Sequence, residues 1–261
     1  MTPALPRPSL ADRFRSLAGR QAGEKGARSA FDHLMRNQAA AAVAISGADK
    51  SAWTGYVQAT SGGALGTANF HGVIDYDQAQ VLDPLHELSR NNGRQQDRET
   101  LLRYRNALQT MLHENSHMLG PRDSDWAQST GPYQVPSNMA LEEGVTEAWS
   151  VAHVNNYIDA LGAEKLAPGI KGTVTRQPYP QYVPAAQVLA YGIGQDIRQS
   201  GDEVLRRLNT QDVGGKWPAA ADMMFRSTDL PSIVPPEHHD IVRGRIQHAM
   251  QSNFSHLRDL Q

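Results

Sequence analysis

The sequence predicts an α+β fold: a small mixed sheet in the N-terminal half, a central helix, and a mainly helical C-terminal half. Three observations predict it. From Ala39 to Phe70, short apolar runs alternate with breaks such as Ser46-Gly47 and Ser61-Gly62-Gly63, the rhythm of short strands. From Leu101 to Met118, apolar residues recur every three or four positions, the rhythm of a helix. Beyond Ala140, the remaining segments read helical apart from one Gly- and Pro-rich connector.

The chain has 261 residues, of which 39% are hydrophobic, enough for one good core with a helical subdomain beside it. Residues 1–30 are rich in Arg, Gly, Pro and Ser and read as a loosely ordered or weakly helical arm. Residues 31–261 read as a single domain, with sheet and central helix over 31–120 and a helical subdomain over 121–261. Strands are expected at Trp53–Ala59 and Ala68–Tyr76. In the second, Phe70, Gly72, Ile74 and Tyr76 would share a face, and as an edge strand it could pair with an extended ligand.

Ser89 to Gln96 is polar and leads into the central helix, whose first turn carries Asp97 and Glu99, as the helix dipole favours. Leu101, Tyr104, Leu108, Met111, Leu112 and Met118 form its apolar stripe. His113 and His117 project from the opposite side, leaving that face free for chemistry. Gly120-Pro121 is the expected stop. Asp123 to Ser137 reads as loop and Ala140–Asn156 as a helix. After the connector Ala167–Pro180, helices are expected at Pro184–Ser200, Asp202–Asn209, Pro218–Arg226 and Pro236–Leu257.

Composition narrows the chemistry. With no cysteine, thiolate nucleophiles, disulfides and Cys-type metal sites are excluded, so any metal must be held by His and carboxylates. Twenty-five basic and 27 acidic residues give a net charge of -2, which argues against nucleic acid or an anionic membrane as the main partner. The N-terminus lacks the apolar core of a secretory signal, and Ala39 to Ile45 is too short to span a bilayer. A cytoplasmic location, or export by a route without a Sec signal, is expected.

His113-Glu114-Asn115-Ser116-His117 spells H-E-x-x-H. One helical turn brings both imidazoles to a single tetrahedral zinc, and Glu114 between them is aimed at a water as general base. Zinc needs a third protein ligand, and two candidates follow. Glu143, in Glu142-Glu143-Gly144-Val145-Thr146-Glu147, stands four residues before Glu147, so one carboxylate can bind metal while the other orients a ligand histidine. Glu142, about 100° round the helix from Glu143, reads as merely solvated. Asp123 is the other candidate, since His113 to Asp123 spells H-E-x-x-H-x-x-G-x-x-D with Gly120 allowing a sharp return.

From Leu101 to Trp149 the chain resembles the zincin metallopeptidases. Its E-E-G-x-T-E segment is similar to the one that supplies the glutamate ligand in gluzincins such as the bacterial collagenases and thermolysin-related aminopeptidases. The resemblance implies a zincin-like fold, one catalytic zinc on His113, His117 and Glu143, Glu114 as base, Glu147 behind a ligand, and a peptide or protein substrate. The Asp123 spelling is similar instead to metzincins of the snapalysin type, with Met139 in the Met-turn. Glu143 is favoured over Asp123, because three carboxylates crowded on one helix repel unless something binds them. A second oxyanion donor would come from Tyr133, Tyr179, Tyr182, Tyr191, His238 or His239; Tyr179, where a loop meets a helix, is the choice. Two other classes compete: a non-catalytic zinc-binding fold, and an exported toxin or effector protease domain.

Overall fold

The computed structural model describes residues 10–174 and 181–259, with side chains from residue 26 onward. Its architecture is α+β, mostly helical with two small sheets. The chain enters through α1 (Leu10–Ser46), one helix that covers most of the stretch expected to be an arm and continues past residue 30. Leu34, Gln38, Ala41 and Ala42 on α1 are buried, where the helix packs on later helices.

Four short strands follow: β1 (Lys50–Ser51), β2 (Val57–Thr60), β3 (Gly66–Ala68) and β4 (Ile74–Asp77). β4 is the centre of a three-stranded sheet, parallel to β2 and antiparallel to β3. The expected strands are therefore trimmed and split. β2 starts only at Val57, and Ala68–Tyr76 is two strands joined by a turn. The cause is Asn69, whose side-chain oxygen accepts from the His71 and Val73 N–H groups and bends the backbone. Phe70 thus sits in a turn, not beside Ile74 and Tyr76, and the sheet's edge strands are β2 and β3, with β4 between them.

A π-helical turn (Gln78–Leu82) and α2 (Asp83–Asn91) lead to the central helix α3 (Arg98–His117). Asp97 caps α3, accepting from the Thr100 N–H at 2.8 Å. The predicted stripe, Leu101 to Met118, is buried. So is the opposite face near the C-terminus: Gln109 and His113 are 5% exposed. The face expected to be free is instead covered by another helix. Met118 ends α3, and β5 (Leu119–Gly120) pairs antiparallel with β1, Lys50 opposite Gly120. Gly120 thus extends the chain and does not fold it back.

The covering helix is α5 (Pro136–Ala160), reached through the short α4 (Thr130–Tyr133). α6 (Ala163–Leu166), α7 (Val183–Ile197), α8 (Gly201–Asn209), α9 (Lys216–Arg226), α10 (Leu230–Ile233) and α11 (His239–Asp259) complete the helical half. α7, α8 and α9 pack on α5, with Trp149, Trp217, Phe225 and Phe254 in the core. Gly144 makes the α5–α7 contact possible, since a Cβ there would lie 2.9 Å from the Tyr182 carbonyl oxygen. Glycine costs about 1 kcal/mol against alanine inside a helix, and close approach of α7 accounts for it here. Among the described residues, no helix is long and apolar enough to cross a membrane.

Candidate metal centre

α3 and α5 run antiparallel, because His113 meets Glu147 while His117, a turn later, meets Glu142 and Glu143. The 3.6-residue period puts 113 and 117 on one face of α3, and 142, 143 and 147 on the facing side of α5. A buried polar network fixes the face behind: Asn115 donates to Gln38 Oε1 at 2.9 Å, and the Tyr76 hydroxyl donates to the same oxygen at 2.7 Å. Asn115, the first of the two middle residues of H-E-x-x-H, therefore ties α3 to α1. Ser116 closes on the Leu112 carbonyl of its own helix.

Three ligand atoms face one another at the centre. His113 Nε2 and His117 Nε2 are 3.0 Å apart, and Glu143 Oε2 lies 3.5 and 3.7 Å from them. A tetrahedral ion with bonds of about 2.05 Å holds its ligands about 3.3 Å apart, so this triangle fits one. His113, His117 and Glu143 could hold a metal ion.

Each histidine is held from behind by a carboxylate. His113 Nδ1 donates to Glu147 Oε2 at 2.7 Å, and His117 Nδ1 to Glu142 Oε1 at 2.8 Å. Both Nε2 atoms are thereby turned inward, the arrangement by which a carboxylate fixes a ligating imidazole. Gln109 Nε2 donates to Glu147 Oε1 at 2.9 Å, and the Tyr133 hydroxyl to Glu143 Oε1 at 2.6 Å. Glu143 is left with Oε2 toward the histidines.

The charges balance in two ways. Burial disfavours the imidazolium of His113 and His117, yet the carboxylates outweigh it and raise both pKa values, that of His113 far above the ordinary range. Burial likewise opposes the charge on Glu143, but His117, His113 and Tyr133 hold its pKa down at about 2. Glu142 is also lowered, since Lys216 and His117 overcome the penalty of burial. Lys216 sits 3.3 Å from Glu142 Oε2, both side chains 1% exposed. Glu142, Glu143 and Glu147 are thus neutralised by Lys216 plus two protonated histidines, or by Lys216, two neutral histidines and a divalent cation.

Glu114 follows His113 on α3 and lies close enough to interact with His113, His117 and Glu143. Its carboxylate accepts from the Ala68 N–H of β3, and burial raises its pKa above the ordinary carboxylate value. A Cβ on Gly66 would lie 2.5 Å from Glu114 Cγ, so β3 approaches the carboxylate as closely as glycine permits. His113, Glu114 and Glu147 line a cavity of about 800 Å³ whose other walls include Leu65, Leu102 and Val174.

The other expected residues fall as follows. Asp123 is exposed and lines a separate cavity of about 490 Å³ with Asp125 and Asp212, so it does not join the ligand group. Met139 is inside α5, its N–H bonded to the Val135 carbonyl, and makes no Met-turn. Glu142, expected to be solvated, is buried, because α9 delivers Lys216 to that side of α5. Tyr179 lies outside the described residues. Tyr191 and His238 are exposed, and His239 donates to the Val234 carbonyl. Tyr182 caps α7 next to Gly144. Tyr133 reaches the ligand group, although its spacing gave no reason to choose it. Gln109 and Lys216 were not foreseen; Gln109 stands one turn before His113 on the same face, a signal that could have found it.

No family model, curated protein or solved structure matches this chain.

Proposed function

We propose that this chain is a zinc-dependent peptidase with a zincin-like fold of the gluzincin type. His113, His117 and Glu143 hold the ion, and Glu114 is the general base. The observation that carries this reading is the triangle of Nε2, Nε2 and Oε2 atoms, with a carboxylate behind each imidazole and Glu114 beside it. Zinc supplies Lewis acidity to a carbonyl oxygen and lowers the pKa of a water.

The chain's own residues do the rest. Glu114, with its pKa raised by burial, takes the proton of the attacking water and passes it to the leaving amine. The free edge of β3 offers backbone groups to an extended peptide beside Glu114, and the adjoining cavity takes side chains. The Tyr133 hydroxyl, whose single proton goes to Glu143 Oε1, would have to release that bond to donate to the oxyanion. Against a purely structural metal stands Glu114, for which such a site has no use, and a ligand group of three among the described residues, where structural zinc takes four.

The test is cleavage profiling of a proteome with wild type beside Glu114→Gln, with metal content measured on the same samples. Wild type should carry close to one zinc and generate new peptide termini. The variant should keep the zinc and lose about a hundredfold in rate, since the amide cannot take the proton. A fully active Glu114→Gln, or a wild type that takes up no zinc, refutes the proposal.

A further inference from the structure

The buried Lys216 has no part in the chemistry above, yet it sits one residue away from a metal-facing histidine. Its Nζ donates to the carbonyls of Leu208 and Gln211, both at 3.0 Å, at the end of α8 and in the turn before α9. The Leu208 carbonyl also accepts from the Gln211 N–H, so the lysine adds a second donor at the end of α8 and one in the turn that follows. The same ammonium lies 3.3 Å from Glu142 Oε2, an atom otherwise buried without a hydrogen-bond donor. The other oxygen of that carboxylate accepts from His117 Nδ1 at 2.8 Å.

A buried carboxylate with a bare oxygen would turn to find a donor, and turning would loosen its hold on His117. The ammonium holds it in place. A simple helix cap needs only the two carbonyls and has no reason to face a carboxylate, so the third contact calls for its own account.

We propose that Lys216 is a positioning residue of the metal centre: through Glu142 it keeps His117 Nδ1 engaged and Nε2 turned toward His113 and Glu143. The junction of α8 and α9 is thereby tied to a ligand donated by α3. This inference rests on the metal reading of the site, but its geometric part, Lys216 acting on His117, can be read without metal.

The experiment compares Lys216→Met, Glu142→Gln and the double variant with wild type. Zinc affinity is measured by chelator competition, and the His117 Nδ1–H signal is followed by NMR of histidine-labelled, zinc-free protein. Thermal melting of the zinc-free form reports folding. Lys216→Met and Glu142→Gln should each weaken zinc by on the order of tenfold or more, and the double variant should be no weaker than Glu142→Gln alone. The Nδ1–H signal should move in both single variants. Wild-type zinc affinity and an unmoved signal in Lys216→Met overturn the proposal, as do losses that multiply in the double variant.

Should Lys216→Met not fold, Glu142→Gln against the double variant decides, because together the two changes leave no unpaired buried charge. Equal affinities and equal His117 signals support the proposal. A further tenfold loss, or a double variant that also fails to fold, overturns it, since Lys216 would then act by something other than Glu142. If wild type binds no zinc, the metal reading fails by itself, and the His117 signal alone decides whether Lys216 positions the ring.

Discussion

Removing the Glu143 carboxylate separates the two ligand sets that the sequence allows. In Glu143→Ala, the triangle with sides of 3.0, 3.5 and 3.7 Å loses its only carboxylate corner, and two imidazoles remain. Binding of zinc at a well-built protein site is worth about 10–16 kcal/mol, so one of three or four ligands accounts for about 2.5–5 kcal/mol. At about 1.4 kcal/mol per decade, that is a loss of about two to four decades in affinity. The structure places two further consequences on the same substitution: the Tyr133 hydroxyl loses its acceptor, and the imidazoles lose the anion that both face. Neither restores the site. Asp123→Ala, on an exposed loop away from the triangle, should leave the affinity at the wild-type value. Chelator competition puts both variants on one scale. If Asp123→Ala releases the ion while Glu143→Ala retains it, the ligand assignment is wrong.

Two other expectations follow from the same geometry. Because carboxylates raise the pKa values of His113 and His117 above the ordinary value, the metal-free centre keeps both protons at a pH where free histidine would have lost them. Zinc must displace them, so its affinity should fall as pH drops through those raised values and level off above them. Below both pKa values about two protons should leave per ion, measured by titration calorimetry in buffers of different ionisation enthalpy; zinc binding without proton release would contradict the charge balance. In Gly66→Ala, the new Cβ meets Glu114 2.5 Å from its Cγ, so the base must shift while the ligands stay. Hydrolysis should fall by on the order of tenfold or more with zinc content unchanged, and a fully active variant would show that β3 can give way.

How much of this was legible in the sequence depends on which physical force each feature answers to. The α3 stripe answers to local periodicity and stands where the pattern puts it, whereas Asp97, expected inside the first turn, is the residue that caps the helix. Asn69 shows where such reading stops: its side chain competes with the strand for the backbone and splits one apolar run into two strands. His113, His117, Glu143 and Glu147 were legible because helical spacing alone brings each pair to one face. Glu142 was misjudged because spacing tells which side of α5 it leaves from, not what α9 brings to meet it.

A solvated glutamate and a buried one look the same in a sequence until the cation that neutralises it is identified. Here that cation begins a distant helix and also caps the helix before it. The same reasoning explains why α5 can crowd three carboxylates that would repel in water. Each has a positive partner, with the imidazoles shared: Lys216 and His117 for Glu142, both imidazoles for Glu143, and His113 for Glu147. An acidic cluster of this kind pays its desolvation cost only when every member is paired, so the centre belongs to α3, α5 and α9 together. The sequence motif lies on the first of these helices, while the carboxylates and the lysine that align its histidines lie on the other two.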